Sequence, residues 1–550
     1  MAQVSARVRE RRKRGVRDRG PGRLEVSTAG APRKWALTGW QWSAAAILVG
    51  AAFLRLFLLT EKVFHHDEGV NGNFLTILFR NGYYHYDPSN YHGPSLYYAA
   101  LLVTSIESLF VGKAGLNTFA VRFVTAAFGV GVVWLMLCLR RQLGNFGALS
   151  AAALAATSSG MVFFSRYFIH EILFVFFSLG VIVALLRWKE TGQPRYLMFA
   201  AASASLLGTT KETWIITVVV WLLAWGCTAL YMRVRRRSGA AVTTPGKRKR
   251  TGSPLTEQPA HGTATLLYVQ AALVFITIWV VLYSSFFTNF PRGVYDSLLT
   301  YTYWFKTSGN ANVYPLTKYL EWLVVQWNTP SLELGAEFTA MVLGTFGAIT
   351  ALVQARSRFA VFSAFWALGI FAAYSLVPYK TPWLALSIVL PFIVTAGYLL
   401  EQLYERRSLQ IVAVVILGIS IAYSCYAAVQ LSFFRYDDES EPYSYAHSRR
   451  DLLNLVGEIE NIAAGNPAGK EIGITVVSPE HWPLPWYLRD FPNVGYWGKV
   501  VETDQPIVIA LESQRAEVER QLGGKYRLFS EHDLRPGNRL LLYLRKDVQP

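Results

Sequence analysis

Four short groups of ionisable residues stand out in a chain that otherwise carries few charges. His65-His66-Asp67-Glu68 follows the first long apolar run, and Arg166 lies shortly before His170-Glu171. Lys211-Glu212 and Tyr379-Lys380 each join two further apolar runs. Adjacent carboxylates among aromatic and apolar residues suit general-base chemistry, because such surroundings tune a carboxyl toward the pH at which it must take a proton. Lysine and arginine at the same level supply charge-assisted hydrogen bonds to an anion such as phosphate. Each group also has a plainer role available. Glu171 could serve only a helix N-terminus, Lys211-Glu212 could neutralise itself at an interface, and Lys380 could snorkel to the surface. His65, His66, His85, His92 and His170 gather near these acids, a collection of the type that binds divalent metals. Their spacings match no compact ligand motif, so neither a metal nor another cofactor is expected.

The elements that must hold these groups are membrane helices. The 550 residues are 52% hydrophobic and only 16% charged, against about 25% charged in ordinary soluble domains. Runs of about 20 apolar residues recur along most of the length, each able to cross a bilayer as a helix. A soluble enzyme, a fibre and a disordered chain are all excluded for most of it. The net charge of +17 is no nucleic-acid signal. Segments 1–34 and 233–250 each contribute +8, beside apolar spans, as the positive-inside rule requires. Cys138, Cys227 and Cys425 fall inside apolar runs and imply no disulfide framework.

Apolar runs at about 40–60, 118–138, 146–164, 169–187, 196–209, 213–232, 265–287, 337–354, 359–377, 383–400 and 409–431 predict eleven spanning helices. Segment 95–111 is also apolar, but is interrupted by Ser105 and Glu107. Laying it along the exterior surface puts every basic cluster inside, which satisfies the K/R bias at each turn. The N-terminus is then cytoplasmic, and all four ionisable groups face the exterior of the plasma (inner) membrane. The expected organisation is a basic tail (1–38), a transmembrane domain (39–434) with a disordered cytoplasmic loop (238–264), and an exterior α/β domain (435–550). That domain reads as helices over 451–463 and SQRAEVERQLG and strands in EIGITVVS, PIVIALE and NRLLLYLRK. It is expected to support recognition without holding a catalytic group, with Trp482, Trp486 and Tyr487 as stacking surfaces. The long exterior loop 288–336, rich in Tyr and Trp, reads as a cover.

Asp67-Glu68 followed by Gly-Pro-Ser-Leu-Tyr-Tyr (93–98), Arg122 in AVRF, Arg140-Arg141-Gln-Leu-Gly, Ser165-Arg166 with Glu171, Thr210-Lys211 and Lys380…Pro391 form a distributed pattern. It resembles the lipid-linked-sugar glycosyltransferases of the GT-C fold, in the branch of protein O-mannosyltransferases and lipid A aminoarabinose transferases. His66-Asp67-Glu68, Tyr91-His92-Gly93-Pro94, Tyr379-Lys380-Thr381-Pro382-Trp383 and Trp-Pro-Leu-Pro-Trp-Tyr (482–487) are most similar to the mannosyltransferase-like membrane proteins termed flippase activity-associated. The resemblance implies an all-α polytopic membrane protein with exterior juxtamembrane helices, here followed by the small α/β domain. It implies sugar transfer, with inversion, from a polyprenyl-phosphate donor in the bilayer to an exterior protein, lipid or glycan acceptor, and no nucleic-acid partner. Asp67 matches the family's base, and Glu68 and Glu171 would complete the catalytic set. Lys380, Arg166 and Lys211 would hold the donor phosphate, while His66, His92, His170, Glu212 and Tyr379 would contact substrate. Where the family often has Lys before the Pro of the juxtamembrane motif, His92-Gly93 stands here, so Lys380 or Arg166 would carry more of the phosphate. The alternative is a flippase, or its accessory, that keeps the sugar-lipid groove without turnover.

Overall fold

The computed structural model describes residues 37–90, 92–237, 261–307, 313–327 and 333–548. The expected tail over 1–38 lies almost wholly outside these residues, and so does most of the expected disordered loop 238–264. By contacts the chain divides into Met1–Trp42 and Ser43–Pro550. The larger unit holds both the helical bundle and the C-terminal sheet, so the exterior domain expected from 435 onward is packed into one body with the helices.

Among the described residues, fifteen helices of seven residues or more make up the bundle and its surface. They are α1 (Gly39–Leu56), α2 (His66–Asn81), α3 (Ser95–Val111), α4 (Thr118–Cys138), α5 (Asn145–Thr157), α6 (Ser159–Ser165), α7 (Glu171–Thr191) and α8 (Pro194–Gly208). Then follow α9 (Trp214–Arg237), α10 (His261–Tyr283), α11 (Arg292–Thr307), α12 (Phe338–Gln354), α13 (Arg358–Leu376), α14 (Ala385–Tyr404) and α15 (Gln410–Val429). Among the described residues eight helices are long and apolar enough to cross a membrane, or up to nine if the bent pair α5/α6 is one span. Each of the eleven expected runs coincides with a helix or with that pair, but α1, α8 and α12 are not among the helices long and apolar enough to cross. Ser158 makes the 56° bend tolerable, because its hydroxyl accepts from Met161 N and caps α6.

One of the eight long helices is α3, yet its two ends lie on one face of the bundle. Gly93 N and Ser95 N donate to Thr210 O and Thr209 O at the α8–α9 turn, both at 3.1 Å. Beyond its other end, Leu116 O accepts from Arg489 of the C-terminal domain. Leu102, Leu109 and Phe110 point outward, as a helix lying in the interface requires. Length and hydropathy would permit a crossing, while the contacts at its two ends tie α3 to the α8–α9 turn and to the C-terminal domain. Gly93 is obligatory here, since a Cβ would meet Thr209 O at 2.0 Å.

The C-terminal domain is a five-stranded sheet with α16 (Leu452–Gly465) and α17 (Arg515–Leu522). Its strands are β1 (Ile474–Val476), β2 (Val494–Tyr496), β3 (Ile507–Leu511), β4 (Tyr526–Arg535) and β5 (Asn538–Arg545), in spatial order β2-β1-β3-β5-β4. The apolar face of α16 (Leu455, Ile459, Ile462) shares a core with Ile474, Ile507 and Leu542. Strands β1, β3 and β5 fall within the runs read from sequence. The edge strands β2 and β4 do not read as strands, because β2 is three residues around a glycine and β4 is largely polar, with two register shifts.

Candidate functional site

The site is built around the first turn of α2. His65 is its N-cap: the ring nitrogen Nδ1 accepts from Asp67 N at 3.1 Å, and Glu68 Oε2 accepts from His65 N at 2.9 Å. This reciprocal pair is a capping box, which fixes where the helix starts and how Asp67 is presented. The Asp67 side chain is half-buried, and its carboxylate makes no hydrogen bond or ion pair to a described residue. A free carboxylate on the first turn is favoured by the helix N-terminus.

Glu68 does not share that position, contrary to its expected catalytic role. It is fully buried and forms a two-pronged pair with Arg122, at 2.8 Å (Nε–Oε1) and 2.7 Å (Nη2–Oε2). Phe168 N also donates to it. Burial pushes the Glu68 carboxyl up, but Arg122 more than offsets this and holds it below its ordinary value. Arg122 in turn donates to Leu59 O, Lys62 O and Val63 O, tying the chain between α1 and α2 to α4. Glu68 thus positions Asp67 and has no free oxygen for a substrate proton.

A second network gathers five of the expected residues. Lys211 Nζ pairs with Glu171 at 2.5 Å, and Glu212 pairs with His92 at 3.0 Å. The His92 and His170 rings lie 4.9 Å apart, and His170 bonds Gly93 O. Burial pulls the Lys211 ammonium down, but Glu171 and Glu212 outweigh it and raise it above its ordinary value. Tyr97 joins this network to α2: its ring lies 5.5 Å from His170, and its hydroxyl donates to Asn71, one helical turn from Asp67. Asn71 and Tyr97 were not singled out in the sequence. The i, i+4 spacing of Asp67 and Asn71 is the one signal that could have found Asn71.

Two expected phosphate ligands do other work. Arg166 is corrected to a structural cap: its terminal nitrogens donate to Leu54, Arg55, Phe57 and Leu58 carbonyls at the end of α1. Lys380 donates to Ser375 O, Val377 O and, at 3.4 Å, Tyr314 O, closing the C-terminus of α13. Tyr379 is held in a β-bridge with Val313. Loop 288–336 contains α11, whose Thr300 and Tyr301 bond Tyr86 and Trp214, so it packs on the 83–90 loop and the start of α9. Among the described residues no three His, Cys, Asp or Glu side chains are grouped as a metal ion would need.

The C-terminal domain reaches this site directly. Arg535 bonds His66 Nδ1 at 3.1 Å and Trp482 O at 2.6 Å. Trp486 is buried and stacks on Phe64 at 4.6 Å, and Tyr487 Oη accepts from Phe64 N. Both are expected from sequence as stacking surfaces for a sugar or a peptide edge; here they dock the domain. Gly69 and Gly72 make room for the contact. A methyl on Gly72 would stand 2.6 Å from the Trp486 ring, so Gly72→Ala should destabilise the protein by about 1–3 kcal/mol. A melting temperature unchanged in that variant would contradict the contact.

Burial lowers the His66 imidazole to about 4. A group with a depressed folded value stays neutral while the unfolded chain takes up a proton. Its stabilising contribution is therefore complete above pH 6.5 and is lost as pH falls toward 4. The melting temperature of the native protein should drop more between pH 6.5 and 4.5 than that of His66→Asn.

A family model described as dolichyl-phosphate-mannose-protein mannosyltransferase matches residues 92–239. No curated protein matches the sequence. Among solved structures, ArnT from Cupriavidus metallidurans bound to undecaprenyl phosphate superimposes with a TM-score of 0.64, at 12% identity, covering 94% of this chain and 100% of that one. Its apo state gives 0.60 at 12% identity, over 92% and 98%. An oligosaccharyltransferase of Archaeoglobus fulgidus gives 0.51 at 13% identity, over 92% and 75%. The likeness shows a GT-C fold, and the chain is an integral membrane protein.

Proposed function

We propose that this GT-C-fold chain is a membrane glycosyltransferase that moves a sugar from a polyprenyl-phosphate donor to an acceptor, with Asp67 as general base. One observation carries the assignment: of the four acids in these groups, Asp67 has no hydrogen bond or ion pair from its carboxylate to a described residue, while Glu68, Glu171 and Glu212 are each paired. In an inverting transfer the acceptor oxygen attacks the anomeric carbon as its proton passes to Asp67. The bond to the phosphate oxygen breaks, and the leaving phosphate keeps the electron pair. The matching family region spans His92, His170, Glu171, Lys211 and Glu212, the network placed next to Asp67 through Tyr97 and Asn71.

Lys380 and Lys211 are the proposed cations for the leaving phosphate; the terminal nitrogens of Arg166 are engaged by the carbonyls at the end of α1. Lys380 can exchange its longest contact, Tyr314 O, for a phosphate oxygen; Lys211 would share its charge between Glu171 and the phosphate. Glu171, Glu212, His92 and His170 would face the sugar, with His66 and Tyr379 at the edges. The face bearing the site is proposed to be exterior, with the N-terminus cytoplasmic and the membrane the plasma (inner) membrane.

The test is reconstitution with polyprenyl-phosphate-linked sugars, following release of polyprenyl phosphate. Lys380→Ala should weaken donor binding by about 1.5–3 kcal/mol, the scale of a charge-assisted hydrogen bond. Donor affinity equal to that of the native protein would confine Lys380 to capping α13.

A further inference from the structure

A groove of about 310 Å³ opens between the end of α1 and the end of α15. No residue of the proposed transfer chemistry lines it. Its walls are Phe53 and Phe57, whose rings stack at 5.0 Å, and Phe433 and Phe434 from the turn after α15. Phe53, Phe57 and Phe434 remain exposed.

Polar side chains line the groove as well: Lys62, Arg166 and Ser432, each at least 96% buried. Each carries an atom without a hydrogen-bond partner among the described residues: Lys62 Nζ, Arg166 Nε and Ser432 Oγ. Lys62 Nζ rests on the Tyr167 ring, 3.0 Å from its centroid, with Phe163 at 4.6 Å. The one acid lining the groove, Glu61, is exposed at the rim and forms no ion pair with Lys62. Buried cationic and hydroxyl donors without acceptors are costly, and an anion that accepts from them removes the cost. Burial holds the Lys62 amine well below its ordinary value, which an adjacent negative charge would reverse.

We propose that this groove binds one anionic phospholipid of the surrounding bilayer. Its acyl chains lie on the four phenylalanines, and its phosphodiester accepts from Lys62, Arg166 Nε and the Ser432 hydroxyl. The occupant is a lipid and not a soluble anion because the walls are apolar and lie at the ends of two apolar helices, of which α15 belongs to a stretch long and apolar enough to cross a membrane. It is anionic because two cations face one rim carboxylate. Lys62 has the flexible stem needed to swing from the Tyr167 ring to the phosphate. The lipid would tie α1 to α15 beside the chain that leads into α2, at a place separate from donor turnover.

The experiment uses the full-length protein, delipidated in detergent. Its melting temperature is followed on adding phosphatidylglycerol, a diacylglycerol of the same chains, or inorganic phosphate. Phosphatidylglycerol alone should stabilise the native protein. Lys62→Met, which keeps the apolar stem, should bind it at least tenfold more weakly, whereas Lys62→Arg should keep most of the affinity. Without lipid, Lys62→Met should melt no lower than the native protein, since it removes an unpaired buried donor. Equal stabilisation by diacylglycerol would mean that the groove takes chains only, and equal effect of inorganic phosphate that it is no lipid site. Undiminished phosphatidylglycerol binding in Lys62→Met would also overturn the proposal.

Discussion

Asp67→Asn should lower sugar transfer by about 10²- to 10⁴-fold, the range for removing a general base, while the donor still binds. The substitution keeps the shape of the side chain and the backbone N–H that His65 holds. Only the ability to take a proton is lost, together with up to about 1 kcal/mol of favourable charge at the helix N-terminus. The measurements are release of polyprenyl phosphate, donor binding and melting temperature on one preparation. Turnover within threefold of the native rate would remove Asp67 from the chemistry and leave donor binding without catalysis as the function of the site. Loss of donor binding as well would place Asp67 among the groups that hold the sugar.

The second large effect is structural. Arg122→Met should destabilise the protein by about 3–5 kcal/mol, because it leaves Glu68 charged, buried and unpaired. It also removes the donors to Leu59, Lys62 and Val63 carbonyls. The first turn of α2 should lose its position, so transfer should fall even at temperatures well below melting. The pH dependence gives an independent check. Glu68 is held below its ordinary value, so its pairing contributes fully above about pH 4.5 and is lost as pH falls below that. Arg122→Met should lack this acid-linked loss. A variant as stable as the native protein would show that the pair is dispensable.

Several features were legible in the residues because they depend on local pattern. Apolar runs of spanning length became helices, since backbone groups in a bilayer must bond within their own segment. The expectation that segment 95–111 lies on one face rests on charge bias, and α3 is held at its ends by the α8–α9 turn and the C-terminal domain. The four ionisable groups were found because charge is expensive beside apolar spans. Three of the five strands in the C-terminal domain followed from their apolar runs, while the short or polar edge strands carried no such pattern.

What the sequence could not do was distribute roles among similar side chains. Asp67 and Glu68 are neighbours of the same charge, yet a helical turn leaves one half-buried without a partner among the described residues and sends the other against Arg122, 54 residues away. Arg166 and Lys380 read as phosphate ligands, but each is aimed at carbonyls left bare by a helix end, which only the packing of α1 and α13 reveals. Arg535 reaches His66 across 469 positions, and Trp486 finds its ring partner only once Gly72 lets the domain approach. Composition and periodicity thus determined the membrane architecture and the neighbourhood of the chemistry, because both follow from the free energy of single segments. Which carboxylate is free, and which cations are already engaged, was decided by tertiary contacts, because a charged group's role depends on the partners that distant segments bring to it.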